Sequence, residues 1–482
     1  MSSIYSSRNI SMMMDLYELT MANGYFMDEH EKKRVAFDVF YRKNPDGGGF
    51  AVFAGLEQVL DYLSGMSFSD EDIAYLRGLG HFDERFLAYL KEFRFHGDVY
   101  AFREGSVMYP NEPVITVVAD LVEAQMIETE ILTQINHQSL IATKACRIVR
   151  AAEGRGVSDF GARRAHNNDA AIYGARACYI GGVNGTATVF AGRDFGIPVG
   201  GTMAHSWVMF YRNELDAFRR FAARYPQNCI LLVDTYDVLK SGVPNAIQVF
   251  REMKEKGIVS DYFGIRLDSG DLAYLSRKAR KMLDQAGFPE ARIVVSNSLD
   301  EFTIRSILDQ GGQIDAFGVG ERMITARSEP VFGAVYKLCA VEENGRMQPR
   351  IKISENIEKV TNPGLKTVYR LYDTAGNSIA DLIALKGEGP EDIPYMVDPG
   401  KPWKKYSVEG MSFREMQIPV MRGGKRLKPQ EDIEIIRERL RAQLENEVWA
   451  EEQRFENPHR HYVDMSPAYY EEKMKLLREE AP

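Results

Sequence analysis

A histidine, four aspartates and three arginines in the middle of the chain each lie at or just after the end of a short apolar run. They are His205, Asp234, Asp237, Asp268, Asp271, Arg163, Arg164 and Arg266. Carboxylate oxygens are the donors that Mg²⁺ prefers, and guanidinium groups bind phosphate or carboxylate through paired hydrogen bonds. The set therefore predicts a site for a phosphorylated sugar together with magnesium.

Smaller residues at the same kind of position extend this predicted site. They are Thr202, Ser206, Ser296, Asn297, Gly318 and Gly320, with one aromatic residue, Phe160. The glycines would let backbone N–H groups approach a phosphate closely, because glycine has no Cβ. The hydroxyl residues place His205 in a polar setting that is suited to chemistry.

Each of these residues also has a simpler interpretation. The segment 268–271, Asp-Ser-Gly-Asp, is suited to cap a helix that begins at Leu272. A lone histidine is usually structural or exposed, and Arg163-Arg164 is consistent with a solvated pair. A common site is favoured because the polar residues follow consecutive strand ends, which random placement would not do.

The elements that must position these side chains are short apolar runs alternating with helical patterns. The predicted strands are 157–160, 177–180, 199–203, 229–234, 263–267, 292–296, 315–319 and 335–338. Helical patterns lie between several of them, at 214–225, 244–256, 272–286 and 299–310. This rhythm is typical of repeated βα units with buried parallel strands, and seven or eight units favour an irregular (β/α) barrel over an open sheet.

The flanking segments have a different pattern. Residues 1–139 mix helical and strand signals and predict an N-terminal α+β domain, and residues 140–339 form the barrel-like catalytic domain. Residues 340–482 are charged and rich in turns, and we expect them to pack back on the N-terminal domain and complete it. The tail after Asn446 has few apolar residues and predicts a surface helix or a frayed end. The fold class is therefore α/β with an added α+β domain.

Composition narrows the class of protein. The 482 residues carry a net charge of −9, so a broad basic face for nucleic acid is not expected. Four cysteines without CxxC spacing exclude a disulfide-built secreted domain and a cysteine zinc site. We find no signal-peptide pattern at the N-terminus and no apolar stretch long enough for a membrane span, which predicts a cytoplasmic protein without a membrane partner.

Several segments, in chain order from about residue 12 to at least 375, resemble one family, the nicotinate phosphoribosyltransferases, which are type II phosphoribosyltransferases. The matching segments are 15–22 (DLYELTMA), 40–45 (FYRKNP), 53–57 (FAGLE), 158–165 (SDFGARRA), 201–206 (GTMAHS), 266–272 (RLDSGDL), 296–301 (SNSLDE), 317–320 (FGVG), 335–338 (VYKL), 352–356 (KISEN) and 362–366 (NPGLK).

The resemblance implies an activity. Enzymes of this family join nicotinate to 5-phosphoribosyl-1-pyrophosphate, hereafter PRPP, and form nicotinate mononucleotide and pyrophosphate in NAD biosynthesis. ATP is a co-substrate whose hydrolysis is coupled to the transfer through a phosphorylated histidine, and Mg²⁺ is the cofactor. His205 matches that histidine. The family also implies a homodimer with shared active sites.

The resemblance assigns roles residue by residue. The catalytic pair is His205 with Asp268. Nicotinate contacts are assigned to Tyr17 (from the partner subunit), Phe160, Arg163 and Arg266. PRPP contacts are assigned to Arg42, Lys43, Arg266, Asp268, Ser296, Asn297, Gly318 and Gly320. Thr202, Ser206 and Asp234 are further site candidates, and Asp268 and Asp271 are the magnesium candidates.

Two positions depart from the family pattern. Met14 stands where relatives often have threonine, which predicts the loss of a polar helix cap. Glu321-Arg322 follows Gly320, where many relatives carry threonine. The alternative readings are a related type II enzyme that uses nicotinamide or quinolinate, and a non-catalytic nucleotide sensor on the same fold. An aldolase-like barrel ranks below both, since Lys337 is its only clear Schiff-base candidate.

Overall fold

The computed structural model describes residues 8–479 apart from 259, 261, 357 and 358. The chain forms two compact units. Unit 1 comprises residues 1–140 and 331–482, and unit 2 comprises residues 141–330. Unit 2 is an irregular (β/α) barrel-like unit, and unit 1 is an α+β unit built from both ends of the chain, which confirms the predicted fold class.

The helices alternate with strands along most of the chain. They are α1 (Leu16–Met27), α2 (Leu56–Gly65), α3 (Asp70–Leu79), α4 (Glu84–Lys91), α5 (Leu121–Gln125), α6 (Glu128–Ala151), α7 (Asn168–Ile180), α8 (Val189–Phe195), α9 (His205–Phe210), α10 (Glu214–Arg224), α11 (Val243–Glu255), α12 (Leu272–Gln285), α13 (Glu301–Asp309), α14 (Glu321–Ile324), α15 (Ile433–Asn446) and α16 (Pro467–Glu479).

The strands are short. They are β1 (Arg34–Phe40), β2 (Ala51–Val52), β3 (Asp98–Ala101), β4 (Val107–Met108), β5 (Ile115–Asp120), β6 (Gly156–Asp159), β7 (Gly185–Thr186), β8 (Cys229–Leu232), β9 (Phe263–Leu267), β10 (Arg292–Ser296), β11 (Ala316–Val319), β12 (Val335–Glu343), β13 (Arg346–Pro349), β14 (Lys366–Tyr372), β15 (Ser378–Leu385), β16 (Tyr395–Val397), β17 (Lys405–Ser407), β18 (Ser412–Glu415), β19 (Ile418–Arg422), β20 (Lys425–Arg426) and β21 (Tyr462–Met465).

Unit 2 is organised around one parallel sheet of six strands in the order β7-β6-β11-β10-β9-β8. Strands β8 to β11 are largely apolar and buried, and all four residues of β8 are buried, as expected where helices cover a parallel sheet. Because every strand runs the same way, their carboxyl ends lie along one edge. That edge carries the candidate site.

The helices that follow the strands begin at polar caps. Asn167, Asn213, Asp271 and Asp300 each accept a hydrogen bond from a backbone N–H in the first turn of α7, α10, α12 and α13. Such caps satisfy N–H groups that have no partner within the helix. They fix where each loop ends, and so which side chains remain at the strand ends.

Unit 1 contains two larger antiparallel or mixed sheets. One has the order β13-β12-β1-β5-β3-β19-β20 and the other β17-β16-β21-β15-β14-β18, while β2 and β4 pair separately. Six of the seven residues of β1 are buried between β12 and β5. The second sheet contains an ion pair, Arg370 with Asp381 at 2.6 Å, whose side chains are both completely buried.

Three predicted strands of the barrel were wrong. Residues 177–180 form the end of α7, and residues 199–203 contribute only one bridge, between Val199 and Thr186. The run 335–338 belongs to β12, which pairs antiparallel with β1 in unit 1. The parallel sheet of unit 2 therefore has six strands rather than seven or eight.

The prediction for the C-terminal tail was correct in part: Pro467–Glu479 form the surface helix α16, in which Tyr469 is the one buried residue, but the tail also contributes a strand to a sheet. Residues 462–465 form β21, which lies between β16 and β15 in the second sheet of unit 1. His461 is buried, with Nδ1 2.9 Å from Glu452 Oε1 and its ring stacked on Tyr109 at 3.6 Å between centroids. Residues 480–482 of the tail lie outside the described part. Among the described helices, none has the length and apolar character needed to cross a membrane.

Candidate active site

The strand ends of unit 2 bring several predicted residues side by side. In the register of the sheet, Ser296 of β10 pairs with Gly318 of β11, which pairs with Ser158 of β6. On the other side, Arg266 of β9 pairs with Val294 of β10 and Leu232 of β8. The loops that follow β6, β8, β9, β10 and β11 therefore leave the sheet at one edge, as expected for a parallel sheet with a functional site.

His205 is the first residue of α9 and lies between a hydroxyl and two carboxylates. Its Nδ1 atom is 3.1 Å from Thr235 Oγ1. Its Nε2 atom is 3.9 Å from Asp234 Oδ1 and 3.8 Å from Asp268 Oδ2. The side chain of His205 is 40% exposed, so the ring is both held on two sides and open to a ligand.

Asp234 supplies the buried part of this cluster, because its side chain is only 1% exposed. Its Oδ2 accepts hydrogen bonds from the backbone N–H of Asp268 at 3.0 Å and from Ser269 Oγ at 2.6 Å. Its Oδ1 is buried and has no hydrogen-bond partner among the described residues. A buried carboxylate oxygen without a donor is costly, and a cation beside it would remove that cost.

Asp268 and Arg266 connect the cluster to neighbouring elements. Ser296 Oγ donates a hydrogen bond to Asp268 Oδ1, which ties β10 to the loop after β9. Arg266 Nη1 donates to Thr202 Oγ1. Burial lowers the pKa of Arg266, with Arg163 acting in the same direction, while Asp268 and Asp234 oppose the shift.

The magnesium candidates fit the cation unequally. Asp271 Oδ1 accepts the backbone N–H of Tyr274 at 2.9 Å and caps α12, which was the simpler interpretation of this residue. Asp234 and Asp268 instead both lie near Nε2 of His205, at 3.9 and 3.8 Å. No group of three or more His, Cys, Asp and Glu side chains suited to a metal occurs in the described part of the chain. Two carboxylates completed by ligand phosphate oxygens are an ordinary magnesium environment.

Two residues position Phe160: Gly318, against which its ring packs, and Asp159, which precedes it in the chain. A Cβ atom on Gly318 would lie 2.4 Å from the Phe160 ring, so only glycine lets the ring pack against this strand. Asp159 accepts hydrogen bonds from Gly161 N at 2.8 Å and Thr186 Oγ1 at 2.7 Å. Burial raises the pKa of Asp159, and these two hydrogen bonds oppose the rise. Gly318 therefore makes room for the ring of Phe160, in addition to any contact of its backbone N–H with a phosphate.

The turn after β10 has an unusual backbone. Asn297 and Ser298 have φ values of 94° and 47°, in the left-handed region that disfavours residues other than glycine. Each such residue costs on the order of 1–3 kcal/mol and persists only where its surroundings hold it. Both side chains are exposed, between buried Ser296 and buried Leu299.

Other predicted residues lie in the same unit without joining the His205 cluster. Ser206 is exposed on α9, and Arg163 and Arg164 are exposed in the turn after β6. Gly320 precedes α14. Asp237 accepts backbone N–H groups of Leu239 and Lys240 and therefore caps its own loop.

Three predicted residues belong to unit 1. Tyr17 lies on α1 and is 43% exposed, and burial together with the Glu128 carboxylate raises the pKa of its hydroxyl. Arg42 and Lys43 follow β1 after one intervening residue, Tyr41, and the Arg42 guanidinium lies 5.4 Å from the centre of the Phe40 ring.

The predicted loss of a polar cap at the start of α1 does not occur. The Glu18 carboxylate accepts the backbone N–H of Asp15 at 3.2 Å, so the first turn of the helix is held without a threonine at position 14. Asp15 is the N-cap residue of α1. Met14 therefore needs no compensating change elsewhere.

Of two polar residues that position the site, sequence reasoning missed Thr186 and noted Thr235 at a strand end without giving it a role. Thr186, on the two-residue strand β7, holds Asp159, and its strand is too short to give an apolar run. Thr235 follows Asp234 and contacts His205. Thr235 lies next to a predicted strand end, and this position marked it as a possible site residue. Only the fold shows which of the polar residues there contacts the histidine.

A parallel sheet whose strand ends join a histidine, carboxylates, arginine and hydroxyls beside a strained turn defines an enzyme site suited to a phosphorylated sugar. Three family models cover most of the chain: the nicotinate phosphoribosyltransferase N-terminal domain (residues 12–136), the nicotinate phosphoribosyltransferase family (156–374) and the C-terminal domain (365–473). The chain belongs to the nicotinate phosphoribosyltransferase family and is an enzyme of that type.

Individual relatives agree with this assignment. Nicotinate phosphoribosyltransferase of Bacillus subtilis is 42% identical over 98% of this chain and 96% of its own length. A nicotinate phosphoribosyltransferase of Mycobacterium tuberculosis is 43% identical over 80% of each chain. The crystal structure of human nicotinic acid phosphoribosyltransferase superposes with a TM-score of 0.85 and 26% identity, covering 96% of this chain and 99% of that one. The resemblance inferred from the motifs is thereby confirmed.

Proposed function

We propose that this enzyme transfers the phosphoribosyl group of PRPP to nicotinate and couples the transfer to ATP hydrolysis through phosphorylation of His205. The products are nicotinate mononucleotide and pyrophosphate from the transfer, and ADP and phosphate from ATP. The step belongs to NAD biosynthesis. The observation that carries the proposal is the placement of His205 between Thr235 and the two carboxylates Asp234 and Asp268.

The two nitrogens of His205 have different surroundings. Nδ1 lies 3.1 Å from the Thr235 hydroxyl, which can orient the ring. Nε2 lies 3.9 Å from Asp234 and 3.8 Å from Asp268, the carboxylates proposed to hold magnesium and its phosphate ligands. The nitrogen that attacks the γ-phosphorus of ATP must carry no proton. The new N–P bond forms as the bond to ADP breaks, and water later releases phosphate from His205.

Magnesium fits the site through Asp234 and Asp268. Bound there, it would neutralise phosphate charge during both transfers. The buried Asp234 oxygen without a donor and the half-exposed Asp268 offer two oxygen ligands on one side of His205. Phosphate oxygens of PRPP or ATP would complete the coordination, in keeping with the reluctance of Mg²⁺ to enter cages made only of protein ligands.

The remaining residues divide between the two substrates. Ser296 and Asn297, with the backbone of Gly318 and Gly320, are assigned to the 5-phosphate of PRPP, and Arg42 and Lys43 to its pyrophosphate. Asp268 also stabilises the positive charge that develops on the ribosyl carbon as pyrophosphate leaves.

The nicotinate base needs an aromatic surface and a cation. Phe160, packed on Gly318, is assigned to one face of the pyridine ring, and Tyr17 of a second subunit to the other. Arg163, in the turn after β6, and Arg266, near the end of β9, are assigned to the nicotinate carboxylate. A neutral amide would gain much less from two guanidinium groups, which favours nicotinate over nicotinamide.

A homodimer with shared sites follows from assigning Tyr17 to the partner subunit, since a two-fold axis would create two equivalent sites. Mixing the Tyr17→Ala and His205→Ala enzymes tests this assignment. We expect heterodimers to recover ATP-coupled activity through their one intact site. Lack of recovery in verified heterodimers would place both residues of each site in a single chain.

The activity is tested by incubating the purified enzyme with Mg²⁺, PRPP and each pyridine base in turn, with and without ATP. We expect nicotinate mononucleotide and ADP to accumulate together with nicotinate, and little product with nicotinamide or quinolinate. Preference for another base would reassign the substrate. Absence of product with all three bases would contradict the proposed reaction.

A further inference from the structure

The left-handed turn at Asn297 and Ser298 needs an external restraint. Neither residue is glycine, and both side chains are exposed. In the described part of the chain, their one side-chain hydrogen bond is donated by Ser298 Oγ to Asn297 Oδ1 at 3.1 Å. A strained turn without packing of its own would relax unless the segments at its ends were fixed. The restraint must therefore come from β10 before the turn and from α13 after it.

The first ionic contact at the start of α13 joins two neighbouring loops. Asp300 caps the helix by accepting the Thr303 N–H at 2.8 Å. Its other oxygen accepts a hydrogen bond from Arg322 Nη1 at 2.5 Å, and the same nitrogen lies 3.3 Å from Thr303 Oγ1. Arg322 belongs to α14, two residues after Gly320. The pair therefore ties the loop after β10 to the loop after β11.

A second ionic contact restrains the same N-terminal end of α13, through two residues of α6. Glu301, the first residue of α13, is completely buried, and its Oε1 lies 2.9 Å from both Lys144 Nζ and Arg147 Nε on α6. Lys144 also donates to Ser328 Oγ at 2.8 Å. A buried carboxylate with two cations is rigid, because each partner left alone would carry an uncompensated charge.

Helix capping alone does not require these ion pairs. Asp271 caps α12 in the same unit, and in the described part of the chain it forms no ion pair. The ion pairs of Asp300 and Glu301 lie at the N-terminal end of α13, the helix that follows the strained turn. They also act on both loops that are assigned to the 5-phosphate of PRPP.

We propose that Asp300–Arg322 and the Glu301–Lys144–Arg147 cluster form a clamp that holds the Asn297–Ser298 turn in the conformation that receives the 5-phosphate. Arg322 and Glu301 are thus positioning residues, which act through the turn rather than by touching the reacting atoms. The inference rests on the proposed function. It also gives a role to Arg322, which belongs to the Glu321-Arg322 pair that follows Gly320 where many relatives carry threonine.

The test compares Arg322→Ala, Arg322→Lys and the control Arg327→Ala, whose arginine is exposed and lies 3.4 Å from Glu321. For Arg322→Ala we expect KM for PRPP to rise about tenfold, with kcat and KM for nicotinate changed less than about twofold. Arg322→Lys keeps a cation for Asp300 and should recover most of the loss. Arg327→Ala should behave like the wild type.

A second change isolates the strain itself. Ser298→Gly removes the penalty for a positive φ, so adding it to Arg322→Ala should lower KM for PRPP at least threefold relative to Arg322→Ala alone. Hydrogen exchange of residues 296–300 should quicken in Arg322→Ala and not in Arg327→Ala. Glu301→Gln should show the same faster exchange. If that variant does not fold, the comparison of Arg322→Ala with Arg322→Lys and Arg327→Ala still tests the clamp.

The outcomes separate the clamp from the activity on which it rests. If the wild type neither binds nor uses PRPP, the proposed function fails, and the exchange data alone then judge the restraint. If the wild type uses PRPP but Arg322→Ala leaves KM for PRPP and exchange of the turn unchanged, the clamp is wrong. A loss in kcat without a change in KM for PRPP would also overturn it.

Discussion

The Nδ1 atom of His205 lies 3.1 Å from the hydroxyl oxygen of Thr235. The other ring nitrogen, Nε2, lies 3.9 Å from Asp234 Oδ1 and 3.8 Å from Asp268 Oδ2. This relationship gives the two ring nitrogens different surroundings. In the proposed mechanism we expect this arrangement to orient the ring for phosphorylation, since the hydrogen bond made by one ring nitrogen affects the other.

Replacing Thr235 with valine should weaken ATP coupling selectively. Valine keeps the shape but removes the hydroxyl that orients His205, and a hydrogen bond of this kind is worth about 1 kcal/mol, or roughly fivefold in rate. We expect ATP-stimulated formation of nicotinate mononucleotide to fall by about that factor, with transfer in the absence of ATP little changed. Thr188→Val is the matched control, because the Thr188 hydroxyl has no partner in the described part of the chain. Equal losses in the two variants would argue against the assignment.

Replacing Asp234 with asparagine should raise the magnesium requirement. The amide oxygen can still accept the N–H of Asp268 and the hydroxyl of Ser269, but the negative charge beside His205 is lost. We expect activity at limiting Mg²⁺ to drop on the order of 100-fold, with partial recovery at high Mg²⁺. Asp237→Asn is the control at an exposed capping residue. A magnesium dependence identical to that of the wild type would remove Asp234 from the proposed metal environment.

Adding a methyl group at Gly318 should disturb nicotinate binding. The new Cβ would lie 2.4 Å from the Phe160 ring, so the ring or the strand must shift. We expect Gly318→Ala to raise KM for nicotinate and to lower the free energy of unfolding by about 1–3 kcal/mol. Gly200→Ala, where nothing lies within 4 Å of the added atom, is the control. Unchanged KM and stability would show that Phe160 does not depend on Gly318.

Asp464 of unit 1 makes stability depend on pH. Burial raises the pKa of this carboxyl to about 6, with Asp398 adding to the rise and His461 opposing it. The folded state therefore binds more protons than the unfolded state between about pH 4 and 6, so stability falls as pH rises through that window. Asp464→Asn removes the penalty.

The measurement is the difference in Tm between Asp464→Asn and the wild type at pH 4, 5, 6 and 7. We expect the advantage of the variant to grow with pH and to level off above pH 6. Asp28→Asn, at an exposed position, should give a flat difference. An advantage that is constant with pH, or that shrinks, would contradict the raised pKa.

Part of this architecture was accessible from the sequence for a physical reason. Strands β8 to β11 are buried on both faces, so each appears as a short apolar run with its functional residues directly after it, as with Asp234, Asp268 and Ser296. The same signal misled at 177–180, because the buried end of α7 is equally apolar and is too short to show a helical period.

The remaining features depend on tertiary context. Strand β7 has two residues, and nothing local marks Thr186 as the partner of Asp159. The tail has low overall hydrophobicity, yet β21 pairs with β15 in the middle of a sheet, and His461 is buried beside it. Such positions are stabilised by partners far away in the chain, which a single sequence does not reveal.

Labelling the enzyme with ATP that carries a marked γ-phosphate, in the presence of Mg²⁺, tests the central claim most directly. The labelled residue is identified by mass spectrometry under conditions that preserve phosphohistidine. The account predicts an acid-labile phosphate on His205 before the other substrates are added, its release when nicotinate and PRPP arrive, and no label in His205→Ala. ATP-stimulated formation of nicotinate mononucleotide without phosphate on His205, or stimulation that survives in His205→Ala, would contradict it.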